Sequence, residues 1–388
     1  MFDQIARYTN KLMADRSALP GEIAIAAQDD ELIVLGNPAL AQLAGDILGR
    51  LTCLGLVAAR PSLPFADFLV ARSPREESCI VPRDTETRTF LHDIPFLRRA
   101  GLGSDPAQAI ARLLGSRKGV VVEGVGIVAS GALTIEQAYI NYSSVFHSTF
   151  VKYLQDVLHD GFLLPGEAEA FAAFRRDWLR PLSADGLVFR SGPLTDPAVI
   201  LDEIAAVGRY TVERGLVDSF FGNISCKSGD VIYISQTAAS LDALAGCIDP
   251  VPMDNSSTFG ITASSELLAH RRIYEASGAA TILHGHPKFA VVMSMECDEA
   301  GCPVADCWKE CDRVRMLGDA PVVAGEIGAG GLAKRVPPVI AGPRRAVVYG
   351  HGVFTVGEHD FAEAFRAMVE VENWCREEYF RRVDGRLR

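Results

Sequence analysis

The sequence predicts a mixed α/β protein, and three observations support this fold class. Short apolar segments typical of strands alternate with amphipathic helical segments in the second half of the chain. Turn-forming residues divide the chain near its middle. The 388 residues are 48% hydrophobic and 22% charged, which permits a packed core and accommodates two domains.

The charge balance argues against nucleic acid as a partner. The chain has 38 Lys and Arg residues against 49 Asp and Glu residues, for a net charge of −11, whereas proteins that grip phosphates usually carry a basic excess. No uncharged apolar run reaches about 18 residues, so we expect no membrane span. The first 20 residues lack the apolar core of a signal peptide. We therefore expect a cytoplasmic protein with reduced cysteines.

The elements follow one another in a clear order around the middle of the chain. A helix is predicted from Pro165 to Leu179. The next helix has Asp196 as its N-cap and Pro197 in its first turn, and it ends at Gly215. The later predicted elements are a strand at 231–234, a helix at 264–275, strands at 279–284 and 346–349, and a last helix that begins at Asp360.

The two halves of the chain contain similar phrases, which suggests a tandem duplication. The predicted division is a first domain at 1–160, a linker with a helix at 161–194 and a second domain at 195–388. The alternative is that any two α/β domains share such phrases. The matching pairs are Phe2–Ala6 with Leu201–Ala205, Thr89–Pro95 with Thr281–Pro287, Val121–Gly126 with Val347–Gly352, and the capping boxes Thr134–Gln137 and Asp360–Glu363.

Three histidines in the second half form a candidate metal site. His284 and His286 are two residues apart at a predicted strand end, which places both side chains on one face. His351 lies between two glycines after another strand, where the backbone can approach closely. Three imidazoles suit a divalent transition metal with an open position. The alternative is ordinary turn histidines, but Glu266 on a nearby helix favours the metal.

Residues from about 197 to 383 resemble the class II aldolase/adducin family, which contains the fuculose-phosphate and rhamnulose-phosphate aldolases. The resemblance implies a three-layer αβα fold with a mixed central sheet. It also implies that the three histidines hold a divalent ion, preferably zinc, and that Glu266 is the catalytic acid/base. The phrases that carry it are Gly222–Ser225, Ser264–Tyr274, Ile282–His286 and Gly350–Val353.

The resemblance places the anionic end of a substrate at Asn223, Thr237, Ser264 and Ser265. One stretch departs from the family: its Thr-Pro-(Ser/Thr)-Gly reads Ser235 to Ala238 here. The Cβ of Ala238 would narrow a pocket for an anion. The substrate is therefore expected to be a small hydroxy-carbonyl compound, with phosphate, carboxylate or neither left open.

The predicted activity is that of a class II aldolase-type lyase that cleaves or forms a C–C bond, with a role in carbohydrate metabolism. The acid/base at Glu266 favours a lyase over the family's epimerases, which carry Asp there. Epimerase, decarboxylase and dehydratase activities on the same site remain alternatives. A non-catalytic, adducin-like interaction protein is a further one, although such members lack the full histidine set.

The first half is expected to be a degenerate copy without a complete metal site. Matching the phrases pairs His92 with His284, Ile94 with His286, and Val125 with His351. Because the family's relatives form tetramers in which a neighbour supplies a tyrosine, we expect a homo-oligomer, a dimer or a tetramer. The candidate tyrosines are Tyr139, Tyr142 and Tyr379.

A cysteine cluster offers a possible second metal site. Four cysteines lie close together and could hold zinc or an iron–sulfur cluster, although their spacing matches no standard knuckle. The alternatives are free thiols and a regulatory disulfide. The surrounding segment, 295–340, is predicted to be a loop near the mouth of the active site that the first half largely lacks. The cysteines are Cys297, Cys302, Cys307 and Cys311.

Overall fold

The computed structural model describes residues 1–218, 220–299, 301–325 and 329–386. The chain forms two compact units, Met1–Leu179 and Arg180–Arg388. Each unit carries its own mixed sheet, which confirms the predicted α/β class. None of the described helices is both long and apolar enough to span a bilayer.

The first unit is built from seven helices and seven strands among its described elements. The helices are α1 (Phe2–Ala14), α2 (Pro38–Leu48), α3 (Phe65–Arg72), α4 (Thr85–Leu91), α5 (Pro106–Leu114), α6 (Ile135–Asp160) and α7 (Glu167–Ala173). The strands are β1 (Ala18–Gln28), β2 (Leu32–Gly36), β3 (Gly55–Pro61), β4 (Cys79–Ile80), β5 (Ile94–Leu97), β6 (Gly119–Val122) and β7 (Gly126–Gly131).

The sheet of the first unit has the order β2-β1-β3-β7-β6-β5-β4, in which β5 and β6 pair in parallel and the other neighbours are antiparallel. Helices α2 and α5 cover one face through a core cluster of buried aliphatic side chains. Helices α1, α3 and α6 pack on the other side. A π-helical turn, Phe174–Trp178, continues α7. The Phe174 ring packs 5.2 Å from that of Phe65, so the end of the predicted 165–179 helix belongs to this core.

The second unit carries the candidate site. Its helices are α8 (Pro197–Glu213), α9 (Leu267–Ser277), α10 (Lys288–Ser294), α11 (Cys307–Glu310), α12 (Ala329–Arg335), α13 (Pro337–Ile340) and α14 (Phe361–Arg386). Its strands are β8 (Asn223–Ser228), β9 (Val231–Ser235), β10 (Ile248–Pro252), β11 (Thr281–Gly285), β12 (Arg315–Leu317), β13 (Ala320–Val323), β14 (Arg345–Val348) and β15 (Gly352–Gly357).

The second sheet separates two helical layers, which confirms the predicted αβα arrangement. Its order is β10-β9-β8-β11-β15-β14-β13-β12, with one parallel pair, β13 and β14, among the described strands. Alternate strand residues such as Ile282 and Phe354 bury against α9, α12 and α13. Helices α10 and α14 pack against the central strands from the other side. Asp196 caps α8 and Pro197 opens it, as predicted.

The two sheets have the same topology once β10 is set aside. The order β9-β8-β11-β15-β14-β13-β12 matches β2-β1-β3-β7-β6-β5-β4 strand for strand, and the parallel pair falls at the same place. In this match, β3 of the first unit corresponds to β11, the strand that carries His284.

Three predictions are corrected by this topology. The segment 295–340 is not simply a loop, because it contributes β12, β13 and three helices, and β13 bonds to β14. The first unit has the corresponding strands β4 and β5, so it does not lack this region. His92 is not the counterpart of His284, since it ends α4 with a φ of 65°, off any strand.

Candidate active site

The three predicted histidines lie together in the structure. Their ligand nitrogens all fall within 4.8 Å of one another. The Nε2 atom of His284 is 3.0 Å from Nε2 of His286 and 3.3 Å from Nε2 of His351. His284 and His286 are buried, and the side chain of His351 is 13% exposed. The trio is therefore a preformed pocket of imidazole nitrogens with one accessible side.

Strand pairing brings these side chains together. His284 sits at the end of β11, where it pairs with Asn223 of β8 on one side and Phe354 of β15 on the other. The ring of His284 stacks on that of Phe354, with centroids 4.0 Å apart. His351 lies in the turn between β14 and β15. A Cβ at Gly352 would come within 2.7 Å of the His286 ring, so the close approach requires glycine there.

Glu266 lies beside the histidines at the start of α9. It is the N-cap residue of α9, and its side chain is 13% exposed. Its carboxylate oxygens lie 3.4 Å from Nε2 of His284 and 3.3 Å from Nε2 of His351. Burial alone would raise the pKa of Glu266, but the neighbouring histidines and a hydrogen bond from Asn223 outweigh it and hold the pKa well below its usual range.

The three imidazoles suit a divalent transition metal. Ligand atoms about 2.0–2.1 Å from zinc in a tetrahedron are about 3.3–3.4 Å apart. The Nε2 atom of His284 lies 3.0 Å from Nε2 of His286 and 3.3 Å from Nε2 of His351, which is close to that spacing. Three imidazoles are ligands typical of zinc and neighbouring transition metals, and they leave a position open for a substrate.

The protonation of His284 suits a ligand. Its Nδ1 lies 3.0 Å from the carbonyl oxygen of Val353, so Nδ1 carries the hydrogen and Nε2 presents its lone pair to the site. Burial lowers the pKa of His284 to about 4, although the charge of Glu266 opposes this. The ring is therefore neutral near pH 7.

The predicted anion-binding residues are brought to one edge, beside the start of α9. An isolated bridge pairs Gln236 with Ala263, and it places Thr237 and Ser264 on adjacent segments. The Thr237 hydroxyl donates to the carbonyl oxygen of Ala263 (2.9 Å), and Ser264 is buried, whereas Ser265 is exposed. Ala238 has a φ of 58°, the left-handed region that glycine adopts more readily.

Asn223 has different neighbours from those expected of an anion-binding residue. Its Nδ2 donates to Oε2 of Glu266 (2.8 Å), and its Oδ1 lies 2.5 Å from Nε2 of His270. His270 in turn contacts Ser225, which contacts Tyr274. His270, Ser225 and Tyr274 lie within the phrases that resemble the family, but no role was predicted for them. The available signal was spacing, since Glu266, His270 and Tyr274 recur every four residues on α9.

The second metal site at the cysteine cluster stays a prediction. Burial and then the nearby thiols of Cys311, Cys302 and Cys297 raise the pKa of Cys307. Among the described residues, the histidine trio is the group whose ligand atoms could share one ion, and the four thiols form no such group. Cys297 and Cys302 are exposed, and all four thiols are free. The Sγ atoms of Cys307 and Cys311 each approach a backbone carbonyl oxygen at 3.7 Å instead.

The tyrosines considered as proton donors for a neighbouring subunit are unsuited to that task. Tyr139, Tyr142 and Tyr379 each have 0% relative exposure. Burial raises the pKa of Tyr142 well above its usual range, which keeps its hydroxyl protonated. These side chains are packed in the hydrophobic cores of their own units.

The part of the chain that carries this site is similar to known proteins. Residues 202–379 match the family model described as the class II aldolase and adducin N-terminal domain. A protein of Nocardia farcinica, named as a probable bifunctional methylthioribose-1-phosphate isomerase/methylthioribulose-1-phosphate dehydratase, is 24% identical over 191 residues. That match covers 43% of this chain and 34% of the relative, so the chain spans about a third of the relative's length.

Solved structures were also compared with the chain. The L-fuculose-1-phosphate aldolase of Thermus thermophilus is 23% identical and has a TM-score of 0.40, with 48% of this chain and 96% of that chain covered. A sugar-phosphate aldolase of Thermotoga maritima is 18% identical with a TM-score of 0.36, and the match covers 47% of this chain and 94% of that chain.

The matched segment contains the histidine trio, Glu266 and the strands and helices that hold them. Over residues 202–379, the second unit resembles the class II aldolase and adducin family.

Proposed function

We propose that the protein is a metal-dependent lyase of the class II aldolase type. In this proposal His284, His286 and His351 hold a divalent ion, preferably zinc, and Glu266 is the acid/base. Thr237, Ser264 and Ser265 form the edge that faces the anionic end of the substrate, and Asn223 instead holds the Glu266 carboxylate. The observation that carries the proposal is the grouping of the three histidines, whose ligand nitrogens lie within 4.8 Å of one another, with the Glu266 carboxylate 3.3–3.4 Å from two of them.

The proposed chemistry is cleavage or formation of a C–C bond in a small hydroxy-carbonyl compound. A bound divalent ion supplies a Lewis acid for the substrate's carbonyl and hydroxyl oxygens. In retro-aldol cleavage the substrate loses a hydroxyl proton as the C–C bond breaks, and the carbon beside the carbonyl then takes up a proton. The carboxylate of Glu266 adjoins the histidines, so it can hold the proton in one of these transfers.

Dehydration on the same site is the second candidate, and one observation favours it. The Nocardia farcinica relative is named in part as a methylthioribulose-1-phosphate dehydratase. In dehydration, a base removes a proton from the carbon beside the carbonyl, and the hydroxyl group on the next carbon leaves as water. The carboxylate of Glu266 can take that proton. An adducin-like binding role is disfavoured because the full histidine set is present.

We further propose that the first unit is a duplicated copy without a metal site. Its strand order repeats that of the second unit. In the register of β3 with β7 and of β11 with β15, Ala58 stands where His284 stands, and Arg60 stands where His286 stands. Val125 takes the place of His351 in the turn before β7. None of these side chains is a metal ligand of the required kind.

Metal analysis combined with product analysis tests the proposed function. Purified protein, supplied with zinc, manganese or cobalt, should retain about one ion per chain, and His286→Ala should lose it. His92→Ala, a histidine outside the site, is the matched control and should retain the ion. Incubation with a panel of sugar phosphates and keto acids should give two carbonyl fragments. A single product lighter by one water would establish the dehydratase instead, and no retained metal with no turnover would support the binding role.

A further inference from the structure

A chain of four buried polar side chains leads away from Glu266 between β8 and α9. Asn223 and Ser225 are two residues apart on the strand, and His270 and Tyr274 are four apart on the helix, so the two elements present them alternately. Their relative exposures are 5%, 0%, 0% and 4% respectively. Water therefore has little access to these groups, and each hydrogen bond must be satisfied by the next member.

The carboxylate fixes the direction of the first bond. An ionised carboxylate only accepts hydrogen bonds, so the group of Asn223 that faces Oε2 of Glu266 at 2.8 Å must be the amide nitrogen. The amide oxygen of Asn223 then faces Nε2 of His270 at 2.5 Å. Because an amide oxygen only accepts, Nε2 of His270 must carry a hydrogen.

The same reasoning determines the direction of the remaining hydrogen bonds in this group of side chains. With Nε2 protonated and the ring neutral, Nδ1 of His270 accepts from the Ser225 hydroxyl at 2.7 Å. Ser225 has then used its hydrogen, so it accepts from the Tyr274 hydroxyl at 2.7 Å. Burial lowers the pKa of His270 to about 3, which is consistent with a neutral ring at pH 7. Every hydrogen points toward Glu266.

We propose that His270 is a positioning residue, which acts through Asn223 to hold the Glu266 carboxylate in one orientation beside the three histidines. This inference rests on the proposed role of Glu266. If the His270 donor were lost, the amide of Asn223 could rotate and present its oxygen to the carboxylate. Glu266 would then face a repelling lone pair and would leave its position between His284 and His351.

The first test observes the tautomer of His270 directly. Ring ¹⁵N chemical shifts of the isolated full-length protein, assigned with His270→Gln, should show a neutral ring with hydrogen on Nε2 at pH 7. In Glu266→Gln the side-chain amide can donate as well as accept, so the direction is no longer enforced and the Nδ1–H tautomer should appear. A wild-type ring that is charged, or that carries its hydrogen on Nδ1, would overturn the proposal.

The second test separates positioning from packing. Binding of Co²⁺, followed by its visible absorption, should weaken about 10-fold or more in His270→Leu, as expected when a partner of a metal-site group is removed. His270→Gln keeps a donor near the Nε2 position and should stay within about threefold of wild type. Ile273→Val, which loses about 1 kcal/mol in the core on the same helix, should bind Co²⁺ as wild type does. Melting temperatures of all three variants show how much of any loss of Co²⁺ binding is due to lower stability alone.

The outcomes distinguish this inference from the proposed function. Equal loss of Co²⁺ binding in His270→Leu and His270→Gln would make His270 merely structural and would overturn the inference. If wild type and His286→Ala bind Co²⁺ equally weakly, the metal-dependent function fails. The tautomer measurement still decides the direction of the polar chain in that case, because it needs no metal.

Discussion

Arg60 occupies in the first sheet the position that His286 occupies in the second. Each comes one position after the last residue that pairs with the neighbouring strand, and each precedes a proline, Pro61 or Pro287. The facing glycines match too: a Cβ at Gly126 would come 2.8 Å from Cα of Arg60, and one at Gly352 would come 2.7 Å from the His286 ring. A guanidinium is always cationic and offers no lone pair, so it cannot replace a metal ligand.

This substitution predicts one divalent ion per chain. Arg60→Ala should leave the metal content unchanged, because the first unit contributes no ligands. Cys307→Ala should also leave it unchanged, because the four thiols are not among the described groups whose ligand atoms could share one ion. Elemental analysis of dialysed protein measures the ratio. Two ions per chain in wild type, with one lost in Cys307→Ala, would contradict the expectation.

Glu266→Gln is expected to lower kcat by about 100-fold or more, because positioned proton transfer contributes roughly 10²–10⁴-fold. The amide keeps the shape of the side chain, so KM should change much less. Steady-state kinetics on the substrate that the product screen identifies measures both. Glu275→Gln, an exposed residue on the same helix paired with Arg272, is the control. A fall in kcat of less than threefold in Glu266→Gln would remove Glu266 from the mechanism.

Glu372 should make stability fall as pH rises. This buried carboxylate on α14 accepts the backbone N–H groups of Phe289 (3.0 Å) and Ala290 (2.8 Å) at the start of α10, the helix that follows His286. Burial raises the pKa of Glu372 to about 7 from its ordinary value of 4.5. The folded protein therefore binds one more proton than the unfolded chain between those pH values, and the free energy of unfolding decreases there by up to about 1.4 kcal/mol per pH unit.

Glu372→Gln removes this dependence, so it should gain stability relative to wild type as the pH is raised from 5 to 8. Urea denaturation at both pH values measures the change. Glu377→Gln, exposed on the same helix, should track wild type. A pH-independent difference between wild type and Glu372→Gln would show that the carboxyl group does not titrate in this range.

Glu167→Gln in the first unit should be strongly destabilising. Arg72 and Glu167 form a buried ion pair at 2.6 Å, with side chains 6% and 0% exposed. Removing one partner of such a pair leaves an uncompensated buried charge and costs about 3–5 kcal/mol. Chemical denaturation gives the value. Asp177→Asn, which breaks the exposed pair with Arg176, should cost less than about 1 kcal/mol. Similar losses in both variants would contradict the role of burial.

The fold class and the grouping of the three histidines could be predicted because their signals are local. His284 and His286 are neighbours on one extended segment, and the glycines around His351 identify a tight turn. Asp196 and Pro197 similarly identify the start of α8 from adjacent residues. Each of these patterns is complete within a few positions of the chain.

Features that depend on pairing between distant segments could not be obtained in this way. The phrase around His92 resembles that around His284, yet His92 ends a helix, and the true counterpart, Ala58, shares no side-chain chemistry with His284. Only the hydrogen-bond register reveals the correspondence. The chain from Asn223 to Tyr274 also joins a strand to a helix more than 40 positions away, as in the Asn223–Glu266 bond with its separation of 43.

The strand pairing that brings the three histidines together also determines when, during synthesis, the site can form. His284 and His351 meet although 67 positions separate them, and they do so only once the hairpin of β14 and β15 docks along β11. A nascent chain still held on the ribosome short of residue 352 lacks β15, the strand that seats His351 beside its partners. Under the proposed function, an ion would therefore bind only late in biosynthesis, after most of the loop-closure entropy has been lost.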